Sequence, residues 1–334
     1  MAESKGVLVF GEVADGALSS TTKELLGKGS ELAQALGEDL IGVVLGGDVQ
    51  GPAQEMIAGG AGKVYAAGDS IPAEYDPDIY VAALANLCKE ISPNILLLGH
   101  TVIGRDLAPR LAFRLDTAVG TDCIDLSIDP DSKLMVQSRP VYGGNAQAEV
   151  VVESARPQMA TVRPKTMTPL EADPSRSGDV VSWEPGVDAS TSRTKVVDRV
   201  SAEATGMKLE EAPAIVAGGR GLGSAEAFKE LEGLATTLGG LVGATRAACD
   251  SGFISPSVQI GITGKVVSPN LYIAVALSGA SQHMSGCLGS KVIVAINKDQ
   301  DANVFKDSQY GVVGDYKEIL PAFHEKCKEL LSSS

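Results

Sequence analysis

The sequence predicts an α/β protein made of two domains, each built on a mainly parallel sheet. Three observations carry this. Short apolar, β-rich runs alternate with helical runs through the first half of the chain and again after Pro213. Glycine is abundant, 38 of 334 residues, as many strand-to-helix turns require. A stretch bearing Pro, Ser, Asp and Thr, from 165 to about 193, separates the two alternating regions.

The elements follow in order. Residues 7–10 are an unbroken apolar run, the pattern of a strand buried on both faces. Thr21-Thr22-Lys23-Glu24 has capping-box spacing and Gly37 suits a helix end, so a helix is expected between them. Residues 40–45 and 63–66 read as strands, 80–91 as a helix, 95–98 as a strand ending at Gly99-His100, and 105–115 as a helix. The character changes near residue 120, where 134–139, 146–153 and 158–162 are short β-rich runs. Gly143-Gly144-Asn145 marks a hairpin turn between the first two, and the runs are expected to add antiparallel strands to the edge of the first sheet. The 165–193 stretch holds the one tryptophan, Trp183, which either anchors an arm in a pocket or packs plainly. The domains are therefore placed at 1–193, linker included, and 194–334. In the second, a strand at 214–217 leads through a glycine-rich turn to a helix from about 225 to 238. Strands at 241–243, 259–262, 271–275 and 292–296 and a helix at 320–331 complete it.

A net charge of −14, with no Lys/Arg cluster to offset it, opposes nucleic-acid binding. The five cysteines, Cys88, Cys123, Cys249, Cys287 and Cys327, form no C-x-x-C pair, and His100, His283 and His324 have no ligand spacing. This argues against a structural metal or iron–sulfur cluster and fits a reducing compartment. The chain enters its first strand without a signal-peptide or transit-peptide pattern, and no apolar run is long enough to span a bilayer, so a cytoplasmic location is expected. Nucleophile-elbow and Walker motifs are absent, which sets aside the hydrolase and NTPase classes they mark.

The chemistry gathers at the ends of the second domain's strands, where α/β sheets bind ligands. Gly218-Gly219-Arg220-Gly221-Leu222-Gly223-Ser224 is either a phosphate-binding turn, with Arg220 as fork donor, or a tight strand–helix turn. Arg246, among small residues, either faces a buried anion or pairs with Asp250. Thr263 offers a hydroxyl in a glycine-flanked turn. His283 lies in a small-residue loop, Ser278-Gly279-Ala280-Ser281-Gln282-His283, and is either a donor to an electron-rich carbonyl or a satisfied core histidine. Asn297 and Asp315 either bind sugar hydroxyls or cap turns.

The wording of residues 263–299, together with Gly104-Arg105-Asp106-Leu107-Ala108-Pro109-Arg110-Leu111-Ala112 and Arg139-Pro140-Val141-Tyr142-Gly143-Gly144-Asn145, resembles the electron-transfer flavoprotein α subunits over most of the chain. The resemblance implies a nucleotide-α-hydrolase-like N-terminal domain that pairs with a β subunit, and a doubly wound C-terminal domain that binds FAD. Arg220, Thr245, Arg246, Gln259, Gly261, Ile262, Thr263, Ser278, Gly279, Ala280, Ser281, Gln282, His283, Asn297 and Asp315 fall on the family's flavin-contacting pattern. By resemblance Thr263 lies near flavin N5, His283 near the O2 edge, and Arg246 over or beside the ring. The 278–282 run would cradle the pyrophosphate and ribityl chain, with Asn297 and Asp315 at the adenosine end. Ile262 departs from the pattern, where glutamine is common, and Ser281 stands where isoleucine is common.

The function implied is an electron carrier, not an enzyme acting on a small substrate. Electrons would pass between a flavin dehydrogenase, such as an acyl-CoA dehydrogenase of fatty-acid β-oxidation, and a membrane quinone-linked oxidoreductase. The alternative within the family is a bifurcating complex that draws on NADH through a second FAD in the β subunit. A third reading, an NAD-dependent enzyme, lacks an acidic ribose-binding residue after the glycine turn.

Overall fold

A computed structural model describes residues 4–332 except 15, 145, 189, 191, 195 and 198–206. The chain divides into two compact units, Met1–Arg199 and Val200–Ser334.

The first unit begins with β1 (Val7–Gly11), the short hairpin β2 (Val13–Ala14) and β3 (Ala17–Leu18), α1 (Ser20–Leu36), β4 (Leu40–Leu45), α2 (Gln50–Ala58) and β5 (Lys63–Ala67). There follow α3 (Pro77–Ile91), β6 (Ile95–Gly99), α4 (Val102–Arg114), β7 (Val119–Cys123), β8 (Asp125–Ile128), β9 (Met135–Val141), β10 (Ala146–Val150), β11 (Gln158–Val162) and β12 (Asp179–Ser182). Seven of these strands form one parallel sheet in the order β12-β5-β4-β1-β6-β11-β7. Strand alternation sends Val7 and Val9 into one core and Leu8 and Phe10 into the other, which is why β1 is apolar throughout.

Several expectations need correction here. The 158–162 run does not add an antiparallel edge strand: β11 is an interior parallel strand between β6 and β7. The antiparallel strands form a separate sheet, β10-β9-β8. Asn145 lies outside the described residues. Part of the expected linker is a strand, since β12 pairs with β5, and Trp183 just after it is buried against Tyr65, its Nε1 donating to Glu90 at 3.0 Å. The first helix is capped by Ser19, whose Oγ accepts from the Thr22 N–H, and not by Thr21. Glu24 turns instead to the N–H groups of Lys165 and Met167. The sequence reading passed over α2, and α3 and α4 start earlier than read, because Asp76 with Pro77 at the first turn, and Thr101, supply their N-caps.

The second unit comprises β13 (Ala214–Gly218), α5 (Glu226–Thr237), β14 (Leu241–Ala244), α6 (Arg246–Asp250), β15 (Leu271–Val275), α7 (Ser281–Met284), β16 (Val292–Asn297), β17 (Tyr310–Val313) and α8 (Tyr316–Ser332). Its parallel sheet runs β14-β13-β15-β16-β17. One face packs on the long helices α5 and α8 through Phe228, Leu231, Leu234, Tyr316 and Leu320. The other face meets Leu209, Ile260, Val267, Met284 and Cys287, which come from short helical turns, the end of α7 among them, and irregular backbone. Residues 259–262, read as a strand, make only isolated bridges from Gln259 to Ala244 and from Ile260 to Lys265. Among the described residues no helix is long and apolar enough to cross a membrane.

Candidate functional site

In the second sheet β13 is flanked by β14 on one side and β15 on the other, and the chain's direction of winding changes between β13 and β15. Connections diverge at such a point and leave a crevice at the carboxyl ends of the strands. Here that crevice is a cleft of about 790 Å³. It is lined by Arg220 and Gly221 after β13, Thr245, Arg246, Ala247 and Asp250 after β14, and residues 276–280 after β15. Gln282 and His283 of α7, residues 259–263, Asn297, Asp299 and Ala302 complete the wall.

Close backbone approach shapes the floor. Gly279 has φ +77°, and a Cβ there would sit 2.2 Å from the Val304 nitrogen. Gly221 donates its N–H to the Ala276 carbonyl at 3.2 Å, and a Cβ on Gly219 would reach 2.2 Å from that same oxygen. Ala276 itself holds φ +51°, a strained setting for a residue with a side chain. The glycine-rich turn thus packs on the end of β15. It forms a short 3₁₀ turn at Arg220–Leu222, and the helix that follows lends no residue to the cleft lining. Of this turn Arg220 and Gly221 reach the cleft, and the first turn of the helix carries the acidic Glu226.

The polar side chains differ in how far they are committed. Arg246 is 68% exposed, and its Nε lies 3.4 Å from Asp250. The expected ion pair exists, but it is screened by solvent and leaves most of the guanidinium's donors available. Gln259 Nε2 donates to Thr263 Oγ1 at 3.1 Å, which fixes the threonine oxygen and leaves its own hydrogen to donate. Asn297 Nδ2 donates to the Leu277 carbonyl at 2.8 Å while its Oδ1 accepts from Asp299 N–H at 2.9 Å. His283 is buried, with Nδ1 3.0 Å from the Ile260 carbonyl oxygen and Nε2 2.8 Å from the Tyr272 hydroxyl. Burial pushes this imidazole down to about 4, against the opposing pull of the Ile260 carbonyl. Both ring nitrogens are engaged within the protein, so a hydrogen bond from His283 into the cleft requires giving one of them up.

Of the residues singled out from sequence, all but Ser281 and Asp315 line this one cleft. Ser281 is exposed at the start of α7, its Oγ 3.4 Å from Gln282 Oε1. Asp315 follows β17 and accepts from the Lys317 N–H at 3.0 Å, capping the start of α8. Ile262 is 51% exposed at the cleft wall. Asp299, at the end of the 263–299 run, was not anticipated as a lining residue, and Asp250 was weighed only as an ion-pair partner. Leu277 lies within the 263–299 run but was not marked out by itself, and nothing in the sequence pointed to Ala302.

The first unit matches the electron transfer flavoprotein domain over residues 7–188, and the second matches the electron transfer flavoprotein FAD-binding domain over residues 208–288. The chain belongs to the electron transfer flavoprotein α-subunit family. It is 44% identical over 331 residues to an electron transfer flavoprotein subunit alpha of Megasphaera elsdenii, covering 98% of each chain. It is 43% identical over 328 residues to that of Bacillus subtilis, again covering 98% of each. Protein FixB of Clostridium saccharobutylicum is 40% identical over 333 residues, covering 100% of this chain and 99% of that one. As an electron transfer flavoprotein α subunit, the chain takes FAD as cofactor and a β subunit as partner. The cleft fits a dinucleotide: its volume lies within the roughly 300–1,000 Å³ usual for ligand sites. Two arginines on its wall answer a diphosphate's charge, and glycines give the backbone close approach.

Proposed function

We propose that this α subunit holds FAD in the cleft at the β13/β15 switch point and acts as an electron carrier. Its donor is a flavin-dependent dehydrogenase, of the acyl-CoA dehydrogenase kind, and its acceptor a membrane quinone-linked oxidoreductase. One observation carries this reading: loops from the ends of β13, β14, β15 and β16 converge on a single cleft whose wall carries arginine, amide, hydroxyl and glycine groups.

The bound FAD supplies the one- and two-electron chemistry; the protein binds, orients and sets the electrostatics. Arg246 offers exposed cationic donors to negative charge that gathers in the cleft. Thr263, held by Gln259, is positioned to donate its hydroxyl hydrogen. The 278–280 loop and Gln282 line the part suited to the pyrophosphate and ribityl chain, and Arg220 adds a fork donor. Asn297 ties two of the walls together and so shapes the site as well as lining it. Asp315 lies two strands beyond β15 on the same sheet, where the adenosine end of an extended dinucleotide would reach.

The test is a flavin count and stepwise reductive titration of the chain co-expressed with its β subunit. One FAD per heterodimer, reduced through an acyl-CoA dehydrogenase and inert to NADH, is the expected result. Two FADs reducible by NADH would move the assignment to a bifurcating complex. A colourless complex would overturn the reading of the cleft.

A further inference from the structure

Arg246 and Asp250 stand at the two ends of α6, one helical turn apart, and both line the cleft together with Ala247. The Nε of Arg246 lies 3.4 Å from an Asp250 carboxylate oxygen, and both side chains are largely exposed. The helix is pinned without them. Thr245 caps its start by accepting from the Ala248 N–H at 3.3 Å, and Ala248 and Cys249 are buried in the core.

Stability does not account for this pair. An ion pair so exposed is screened and contributes little. Its order along the helix is also the unfavourable one. The positive start of a helix favours an acid and the negative end a base, whereas α6 carries arginine first and aspartate last. A carboxylate on the wall further opposes the negative charge that the cleft's two arginines would attract. What the pair does achieve is to give Arg246 a resident partner, so that an anion entering the cleft draws on this guanidinium in competition with Asp250.

We propose that Asp250 is a positioning residue that shares Arg246 with the cofactor, and so holds both the affinity for FAD and the cofactor's potential below the values an unshared arginine would set. The inference rests on the reading of the cleft as the FAD site. Asp250 acts through Arg246: it keeps the guanidinium along α6 and offsets part of its charge. Negative charge that reduction brings into the cleft then meets a weaker cation.

The test uses the full chain co-expressed with its β subunit, stripped of flavin and titrated with FAD, then reloaded for a reductive titration. Asp250→Asn keeps the size and removes the charge. It is expected to bind FAD up to about fivefold more tightly, the range of an exposed charge pair, and to raise the midpoint potential. Urea unfolding of the flavin-free complex should stay as in the parent. Asp250→Ser removes the same charge with a smaller side chain and is expected to behave alike. In an Arg246→Ala background Asp250→Asn should lose most of both effects, because no guanidinium is left to release. Asp299→Asn is the control: it removes a second carboxylate from the cleft wall, and its effect should be the same with and without Arg246. An Asp250→Asn complex that matches the parent in affinity or potential, or falls below it in either, overturns the proposal. So does an effect that keeps its full size in the Arg246→Ala background, or an Asp299→Asn effect that depends on Arg246 as strongly. A parent complex that takes up no FAD overturns the reading of the cleft and this proposal with it. A parent that takes up FAD beside an unchanged Asp250→Asn complex overturns this proposal alone.

Discussion

Asn297 Nδ2 donates to the Leu277 carbonyl at 2.8 Å and so joins the end of β16 to the loop after β15 at the cleft. The same side chain caps its own turn through Asp299 N–H. With both ends of the amide committed, Asn297→Ala should cost about 1–2 kcal/mol of stability and weaken FAD retention. Asn297→Asp should be worse, because a carboxylate oxygen would replace the donor facing the Leu277 carbonyl. Urea unfolding and flavin stoichiometry check both; if Asn297→Asp keeps FAD as well as the parent, the clamp is not what shapes the site.

Gly279 and Gly239 separate steric need from backbone strain. Both have positive φ, +77° and +64°, but a Cβ meets the Val304 backbone at Gly279 and open space at Gly239. Gly239→Ala should therefore cost about 1–2 kcal/mol, the strain of the left-handed region alone. Gly279→Ala adds a backbone clash that the cleft floor must absorb, so its loss should be larger and should release FAD. Thermal unfolding of the two variants, with flavin content read alongside, makes the comparison. Equal losses would mean that the loop after β15 yields easily.

The contrast between legible and illegible parts has a physical basis. β1, β4 and β6 are buried on both faces, and a run such as Leu40–Leu45 cannot be polar anywhere along its length. β17 is exposed throughout, from Tyr310 to Val313, so no burial pattern marks it. β12 hides in a Pro- and Ser-rich stretch because an edge strand needs only one partner. Apolar runs carry no direction, which is why β11 was expected to be antiparallel although its connection makes it parallel. In the site, the loops were legible because strand ends and small residues point to them. The commitment of His283 was not legible, since Tyr272 reads as an ordinary strand residue and Ile260 acts through its backbone.

Arg246 offers a test of function with little structural cost. Its ion pair with Asp250 is 68% exposed on the arginine side and 66% on the aspartate side, so Arg246→Ala should change stability by no more than about 0.5 kcal/mol. The cleft loses a cation, so FAD affinity should fall and the cofactor's potential should shift downward. Equilibrium dialysis and a redox titration of the co-expressed complex measure these. Arg246→Lys should recover part of the potential, because charge is restored without the planar fork.

Glu12 links the first domain's stability to pH. It follows β1, and the Thr101 hydroxyl donates to its Oε1 at 2.7 Å. Burial raises its carboxyl from 4.5 to about 7, against the opposing pull of the Thr101 hydrogen bond. The folded chain thus keeps a proton that the unfolded chain releases, so the contribution is fully present below about pH 4.5 and is lost as pH rises through about 7. Its size is at most about 3 kcal/mol at one pKa unit per 1.36 kcal/mol. Other carboxylates act in the opposite sense, Asp129 and Asp173 being held low by their serine partners, so the parent's curve alone does not isolate Glu12. The difference between the parent and Glu12→Gln does, because a glutamine keeps the size and stays neutral. The parent should lose stability relative to Glu12→Gln in urea as pH is raised from about 5 to about 8; a difference that stays flat would show that Glu12 is already ionised in the folded protein.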